Sequence, residues 1–178
     1  MDREQVFVKI DVRNAFNTLR RDSILEAVAK HFPELLPFTI SSIGSPSNLQ
    51  FGDYMLSPDD GARQGDPLGP LYFCLASLEL LQSLKSELNL GYLDDVAMGG
   101  DAKTVLEDVL HLEATAKEFG LALNRSKCEV VGHTEETRRL FATQNIILPE
   151  TSMSSVILLG APLSAGQHLD EVLTVKRK

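Results

Sequence analysis

Apolar and polar positions alternate first at Val6-Phe7-Val8-Lys9-Ile10, a β-branched run that predicts a strand ending at Asp11. The period then changes. Ile24, Leu25, Val28 and Phe32 recur at helical spacing behind Ser23 and Glu26, which have capping-box spacing, so a helix is predicted to begin near Ser23. Pro33 and Pro37 interrupt the next segment and leave two short helical pieces reaching Ile43. Gly44-Ser45-Pro46-Ser47-Asn48 reads as a turn, and Leu49 to Leu56 as a hairpin around Gly52-Asp53. The longest helix is predicted from Pro67 to about Leu88. Asp66 is its expected N-cap, and Leu68, Leu71, Leu75, Leu78, Leu81, Leu84 and Leu88 form its buried stripe. A hairpin from about Leu90 to Met98 carries Asp94-Asp95 near its tip. A helix from about Ala102 to Phe119 stops at Gly120. Short strands near Leu121–Leu123 and Glu129–Val131, a helix from about Glu135 to Ala142 and a strand-like run at Val156–Leu159 complete the pattern, and Gly160-Ala161-Pro162 closes it. Two hairpins among alternating strands and helices predict an α+β fold, with helices packed on one face of a mainly antiparallel sheet.

Composition narrows the classes. A chain of 178 residues with 43% hydrophobic and 24% charged residues is expected to form a single globular domain over 1–178. No apolar run approaches the ~20 residues of a membrane helix. Met1-Asp2-Arg3-Glu4 is no secretory leader, which points to an intracellular, nuclear or cytoplasmic protein rather than a secreted one. Cys74 and Cys128 have no neighbouring cysteine with which to frame a disulfide or zinc site. The formal net charge of −8 runs against a self-sufficient nucleic-acid binder.

Three carboxylates are placed for chemistry. Asp11 ends an apolar strand, and Asp94-Asp95 lies in a hairpin between Leu93 and Val96. With the strand and hairpin as sheet neighbours, Asp11 and Asp94 converge, and converging carboxylates stay ionised only with cations between them. Magnesium suits such a site through its preference for oxygen ligands. Each piece also has a plainer reading. An Asp-Asp pair is common in acidic chains, and Pro58-Asp59-Asp60-Gly61 has the composition of a solvated turn without the ligand count of a calcium loop. Gln64-Gly65-Asp66-Pro67-Leu68-Gly69-Pro70 is either a well-capped helix start or a loop that lets a base or sugar approach the backbone. The four histidines are scattered, and Asn124-Arg125-Ser126 fits a glycosylation acceptor with no secretory route.

Taken together, the blocks Lys9-Ile10-Asp11-Val12-Arg13-Asn14-Ala15-Phe16-Asn17, Arg63-Gln64-Gly65-Asp66-Pro67-Leu68-Gly69-Pro70 and Gly91-Tyr92-Leu93-Asp94-Asp95 resemble motifs A, B and C of the reverse transcriptase palm, in that order. Gly120-Leu121-Ala122-Leu123-Asn124-Arg125-Ser126-Lys127 is similar to motif D and Leu158-Leu159-Gly160-Ala161-Pro162-Leu163 to motif E, the primer grip. The resemblance covers about Val6 to Leu163, and its wording is most like elements without long terminal repeats.

The resemblance implies an RNA-directed DNA polymerase that uses two magnesium ions, with manganese able to substitute. It implies that Asp11 and Asp94 bind the metals, that Asp95 supports them and that Lys127 protonates the leaving pyrophosphate. Phe16 matches the steric gate against a ribose 2′-hydroxyl, although by itself it is an aromatic of the kind cores use. Asn14 and Ala15 would line the incoming nucleotide, and Gln64 and Gly65 would contact its sugar or the template. Tyr92 and Leu93 would border the primer end, with Leu159 and Gly160 gripping its backbone. The implied partners are an RNA template, a DNA primer and deoxynucleoside triphosphates, together with other regions of a longer polyprotein. Only ten residues precede Asp11 and fifteen follow Leu163, so fingers and thumb are expected to be absent, and with them much of the basic surface. Two alternatives stand beside this reading: a catalytically silent retroelement remnant, and an RNA-dependent RNA polymerase palm, which Phe16 opposes.

Overall fold

A computed structural model describes residues 4–44, 49–51, 54–56, 61–62, 65–132, 134–159 and 161–163. The elements run β1 (Gln5–Ile10), α1 (Ala15–Thr18), α2 (Arg21–His31), a 3₁₀ turn (Pro33–Leu35), α3 (Leu36–Ile43), β2 (Leu49–Phe51), β3 (Tyr54–Leu56) and α4 (Gly69–Ser83). They continue with β4 (Leu88–Tyr92), β5 (Asp95–Asp101), α5 (Ala102–Glu118), β6 (Glu129–Val131), α6 (Glu135–Thr143), a second 3₁₀ turn (Met153–Ser155), β7 (Ile157–Leu158) and β8 (Ala161–Pro162). The chain divides into two compact units. One comprises Met1–Asp11, Lys85–Leu110 and Asn124–Lys178, the other Val12–Leu84 and His111–Leu123.

The first unit is built on an antiparallel sheet of order β4-β5-β1-β6. Strand alternation sorts its side chains into two faces. Val8 lies opposite Met98 and Val130, and Ile10 opposite Val96, all buried. Val105, Leu106 and Val109 of α5 and Phe141 of α6 are buried in the same unit. Removing each such side chain from water contributes about 1.5–3 kcal/mol, which is why the β-branched run at the start of the chain becomes a central strand. On the other face Phe7, Ala97, Val131 and Val156 cluster, and Leu158 packs against them. Asp108, itself buried on α5, accepts the Lys85 N–H at 2.8 Å, the Ser86 N–H at 2.7 Å and the Ser86 hydroxyl at 2.5 Å, which fixes the approach to β4.

The second unit is mainly helical. Ile24 and Val28 of α2, Thr39 and Ile43 of α3, and Tyr72, Phe73, Ala76 and Leu80 of α4 are buried. The Thr39 hydroxyl donates to the Leu35 carbonyl at 3.0 Å and pairs with the Tyr72 hydroxyl at 3.3 Å. Gly120 has φ +79°, and a Cβ there would stand 2.4 Å from the Thr18 carbonyl oxygen, so the predicted helix stop is also a steric requirement.

The α+β class, both hairpins, the two short pieces after Pro33 and the Gly120 stop agree with the sequence pattern; 45–48, 52–53 and 57–60, the turn tips and the Asp59-Asp60 pair among them, lie outside the described residues. Several boundaries differ. α2 starts at Arg21, not near Ser23, because Arg20 and Asp22 pair at its start and the Asp22 carboxylate accepts the Ser23 N–H; Phe32 is exposed. α4 is Gly69–Ser83 rather than Pro67–Leu88. At its start Asp66 accepts the Leu68 N–H in a turn that delays the helix; at its end Leu84 turns extended and Leu88 is already in β4. Of the predicted leucines Leu75 and Leu84 are buried, whereas Leu68, Leu71, Leu78 and Leu81 are only half-buried and Leu88 is exposed, and Tyr72, Phe73, Ala76 and Leu80 make up most of the rest of the buried face. The strand expected at Leu121–Leu123 is a single bridge from Leu123 to Val12, and α1 has no counterpart in the sequence pattern.

Candidate active site

The three carboxylates expected to bind metal belong to the sheet unit. β1 pairs with β5 up to Ile10↔Val96, so Asp11 leaves the strand where Asp95 begins β5. By alternation Asp11 follows Phe7 and Lys9, while Asp95 shares a face with Ala97, which lies opposite Lys9. The two acidic residues therefore belong to the same face. Asp94 sits one residue earlier, in the turn of the β4–β5 hairpin that Tyr92↔Asp95 closes. A two-residue hairpin turn needs a positive φ, and Leu93 supplies it at +56°, a conformation that costs an L-residue about 1–2 kcal/mol. Asp94 is exposed; Asp11 and Asp95 are half-buried. Among the described residues none of the three carboxylates is engaged by a hydrogen bond or ion pair.

The donor set suits a hard cation. Among the described residues no three His, Cys, Asp or Glu side chains form a ready cage for a metal. Magnesium does not require one, since it commonly binds one or two carboxylates and completes its shell with water and substrate phosphate. A cavity of about 380 Å³ in the same unit, lined by Gln5, Phe7, Leu88, Gly100, Val131 and Met153 among others, opens at the other end of β1 and does not coincide with the carboxylates.

The segment after Leu123 supports Asp11. The Asn124 N–H donates to the Asp11 carbonyl at 2.8 Å, and Lys127 lies exposed in the same turn, its N–H donating to the Asn124 carbonyl at 2.8 Å. The Asp11 N–H donates to the Cys128 Sγ at 3.4 Å. In the sequence Cys128 has no cysteine nearby, and its place next to Lys127 of the motif D block is the available signal. Asp108, which braces the entry to β4, escapes sequence reasoning as well: it sits on a helix stripe with no motif to mark it.

The remaining candidates are spread over both units. Tyr92 is 62% exposed on β4, and Leu159 is exposed between β7 and β8 with φ +51°. In the helical unit Asn14 is the exposed N-cap of α1 with φ +43°, and Ala15 is buried. Phe16 is half-buried with its ring 5.0 Å from that of Phe73. Gly65 is exposed at φ +88° with open space where a Cβ would stand. Gln64 and Gly160 lie outside the described residues.

Residues 1–161 match the family described as reverse transcriptase (RNA-dependent DNA polymerase). The chain is 32% identical over 141 residues to the retrotransposable element SLACS 132 kDa protein of Trypanosoma brucei gambiense, covering 72% of this chain and 12% of that protein. It is 29% identical over 143 residues to the retrovirus-related Pol polyprotein from type-2 retrotransposable element R2DM of Drosophila melanogaster, covering 69% and 13%. The chain thus spans about an eighth of the length of these curated relatives. Among solved structures it is similar to apo telomerase from Candida tropicalis, with TM-score 0.54 and 15% identity over 72% of this chain and 28% of that one. A version of that telomerase truncated from its C-terminal domain gives TM-score 0.55 and 17% identity over 70% and 30%. These likenesses bear on the fold, which is that of a polymerase palm. By the extent of the family match and the order of its motifs, the chain belongs to the reverse transcriptase family.

Proposed function

We propose that this chain is the palm fragment of a mobile-element reverse transcriptase, adding deoxynucleotides to a DNA primer on an RNA template. The observation that carries the reading is the β1–β5 register, which ends at Ile10↔Val96 and leaves Asp11 beside Asp95, with Asp94 in the adjoining turn. Asp11 and Asp94 would hold two divalent ions, magnesium or in its place manganese, and Asp95 would support them. Bound there, such ions would supply charge neutralisation for the transferring phosphoryl group and a template for in-line attack. The primer 3′-hydroxyl gives its proton to solvent as its oxygen forms the new bond to the α-phosphorus and the bond to pyrophosphate breaks, and Lys127 gives the departing pyrophosphate a proton. Positioning and charge stabilisation carry most of the acceleration. Phe16 occupies the space of a ribose 2′-hydroxyl, Asn14, Ala15, Gln64 and Gly65 bind the nucleotide, and Tyr92, Leu93, Leu159 and Gly160 border the primer.

The longer relatives support fingers and thumb as partners elsewhere in a polyprotein. No helix among the described residues is long and apolar enough to cross a membrane. From the proposed role in copying a mobile element we place the protein inside the cell, in the nucleus or cytoplasm. Primer extension on an RNA template with magnesium or manganese tests the proposal. The wild-type chain is expected to add nucleotides, and Asp11→Asn and Asp94→Asn to lose at least about a hundredfold of that rate. A folded wild-type chain that neither adds nucleotides at low ionic strength nor binds Mn²⁺ better than Asp11→Asn overturns the proposal in favour of a silent remnant.

A further inference from the structure

The sheet pairing that carries Asp11 gives out just before it. Against β6 the pairs run Phe7↔Val131, Val8↔Val130 and Lys9↔Glu129, and there the ladder stops. Beyond that point the main-chain N–H of Asp11 has no strand carbonyl to meet. It donates instead to the Cys128 Sγ at 3.4 Å, from the residue just before β6. That thiol is buried and lies 3.4 Å from the Asn124 carbonyl, to which it donates, and 3.9 Å from the carbonyl of Asp11 itself. The other polar group of the Asp11 backbone is taken by the same turn, through the Asn124 N–H at 2.8 Å. The turn is itself knitted by the Lys127 and Cys128 N–H groups, donating to the Asn124 carbonyl at 2.8 and 3.1 Å, and by the Ser126 hydroxyl, donating to the Asn124 side chain at 2.9 Å.

We infer that the turn from Asn124 to Cys128 is a clasp on the Asp11 backbone and that Cys128 is a positioning residue for the Asp11 carboxylate. The Asn124 half of the clasp is main chain and survives any side-chain change. The Cys128 half depends on a side-chain acceptor, so it is the half sequence can alter. A carboxylate that must meet a metal with small tolerance gains from a backbone held on both sides, and outer partners of this kind commonly govern metal affinity. The inference rests on the proposed role of Asp11 as a metal ligand.

Two measurements on the full chain test it. The first is amide hydrogen exchange at Asp11 by NMR. The second is Mn²⁺ affinity by electron paramagnetic resonance. Cys128→Ala and Cys128→Val remove the acceptor, and Val also keeps the space filled; Cys128→Ser retains a hydrogen-bonding atom. Ala and Val are expected to speed exchange at Asp11 by roughly threefold to tenfold and to weaken Mn²⁺ binding by a similar factor. Ser is expected to restore both to within about twofold of wild type. Exchange at Asp11 unchanged in whichever of the Ala and Val variants folds overturns the clasp, as does a Ser variant no better than Val. A wild-type chain that binds Mn²⁺ no better than Asp11→Asn instead overturns the metal reading, while the exchange result still decides the clasp.

Discussion

Leu93 has a bulky side chain at φ +56° in a turn where glycine would be at ease. Backbone strain of this kind persists where the surrounding residues have a use for it. Replacing Leu93 by Gly relieves the strain, less the extra entropy of a glycine in the unfolded chain, and should raise the unfolding free energy by about 0.5–1 kcal/mol. Primer extension should fall in the same variant, because the side chain proposed to border the primer is gone; urea unfolding and an extension assay on one preparation read both. A loss of stability would show that the turn is not strained. The strain is hidden in the sequence, where Tyr92-Leu93-Asp94-Asp95 reads as a hairpin tip without any sign of which residue turns left-handed. Gly120 is legible, since a helix-ending glycine announces itself, although the Thr18 carbonyl that makes it obligatory does not.

Among the elements, those with one dominant period are legible. The run Val6–Ile10, the hairpin at Asp94-Asp95 and the helix before Gly120 each obey a single rule, and the structure has them close to where the pattern puts them. The leucine run from Leu68 to Leu88 misleads because it fits helical spacing beyond the end of the helix, and a local turn at Asp66 and the extended Leu84 override it. What ends the matter at Leu88 is tertiary: the buried Asp108 gathers the Lys85 and Ser86 N–H groups. Asp108→Ala leaves those donors without their acceptor and should lower the unfolding free energy by about 2–4 kcal/mol, measured in urea; a loss below about 1 kcal/mol would contradict this bracing role. α2 and α4 also share an exposed pair. A hydrogen bond from Lys30, then the attraction of its charge, holds the Glu79 carboxyl below its ordinary value of 4.5. A lowered native pKa means that the unfolded state binds more protons, so this contribution is present above the ordinary value and disappears as pH falls through the native one. The small gap in melting temperature between wild type and Glu79→Gln should therefore be seen at about pH 7 and narrow as pH falls below the ordinary carboxyl value. A gap that widens on acidification would reverse the sign.

For the molecule as a whole, fold class and family are readable because five motif blocks in order constrain far more than any one of them. The placement of the carboxylates is legible only conditionally, on β1 and the hairpin being neighbours, and the observed antiparallel register meets that condition. Cys128 and Asp108 escape because their partners are backbone groups distant in sequence, which no residue pattern records. At a net charge of −8 the chain is poorly suited to hold a duplex by phosphate contacts, so the carboxylates are better tested by their metal than by nucleic acid. Titration with Mn²⁺ followed by electron paramagnetic resonance does this on wild type, Asp11→Asn and Asp94→Asn. Wild type should bind the ion and each variant should weaken that binding about tenfold or more, since each removes one anionic ligand. Equal affinities in all three proteins would contradict a shared metal site at Asp11 and Asp94.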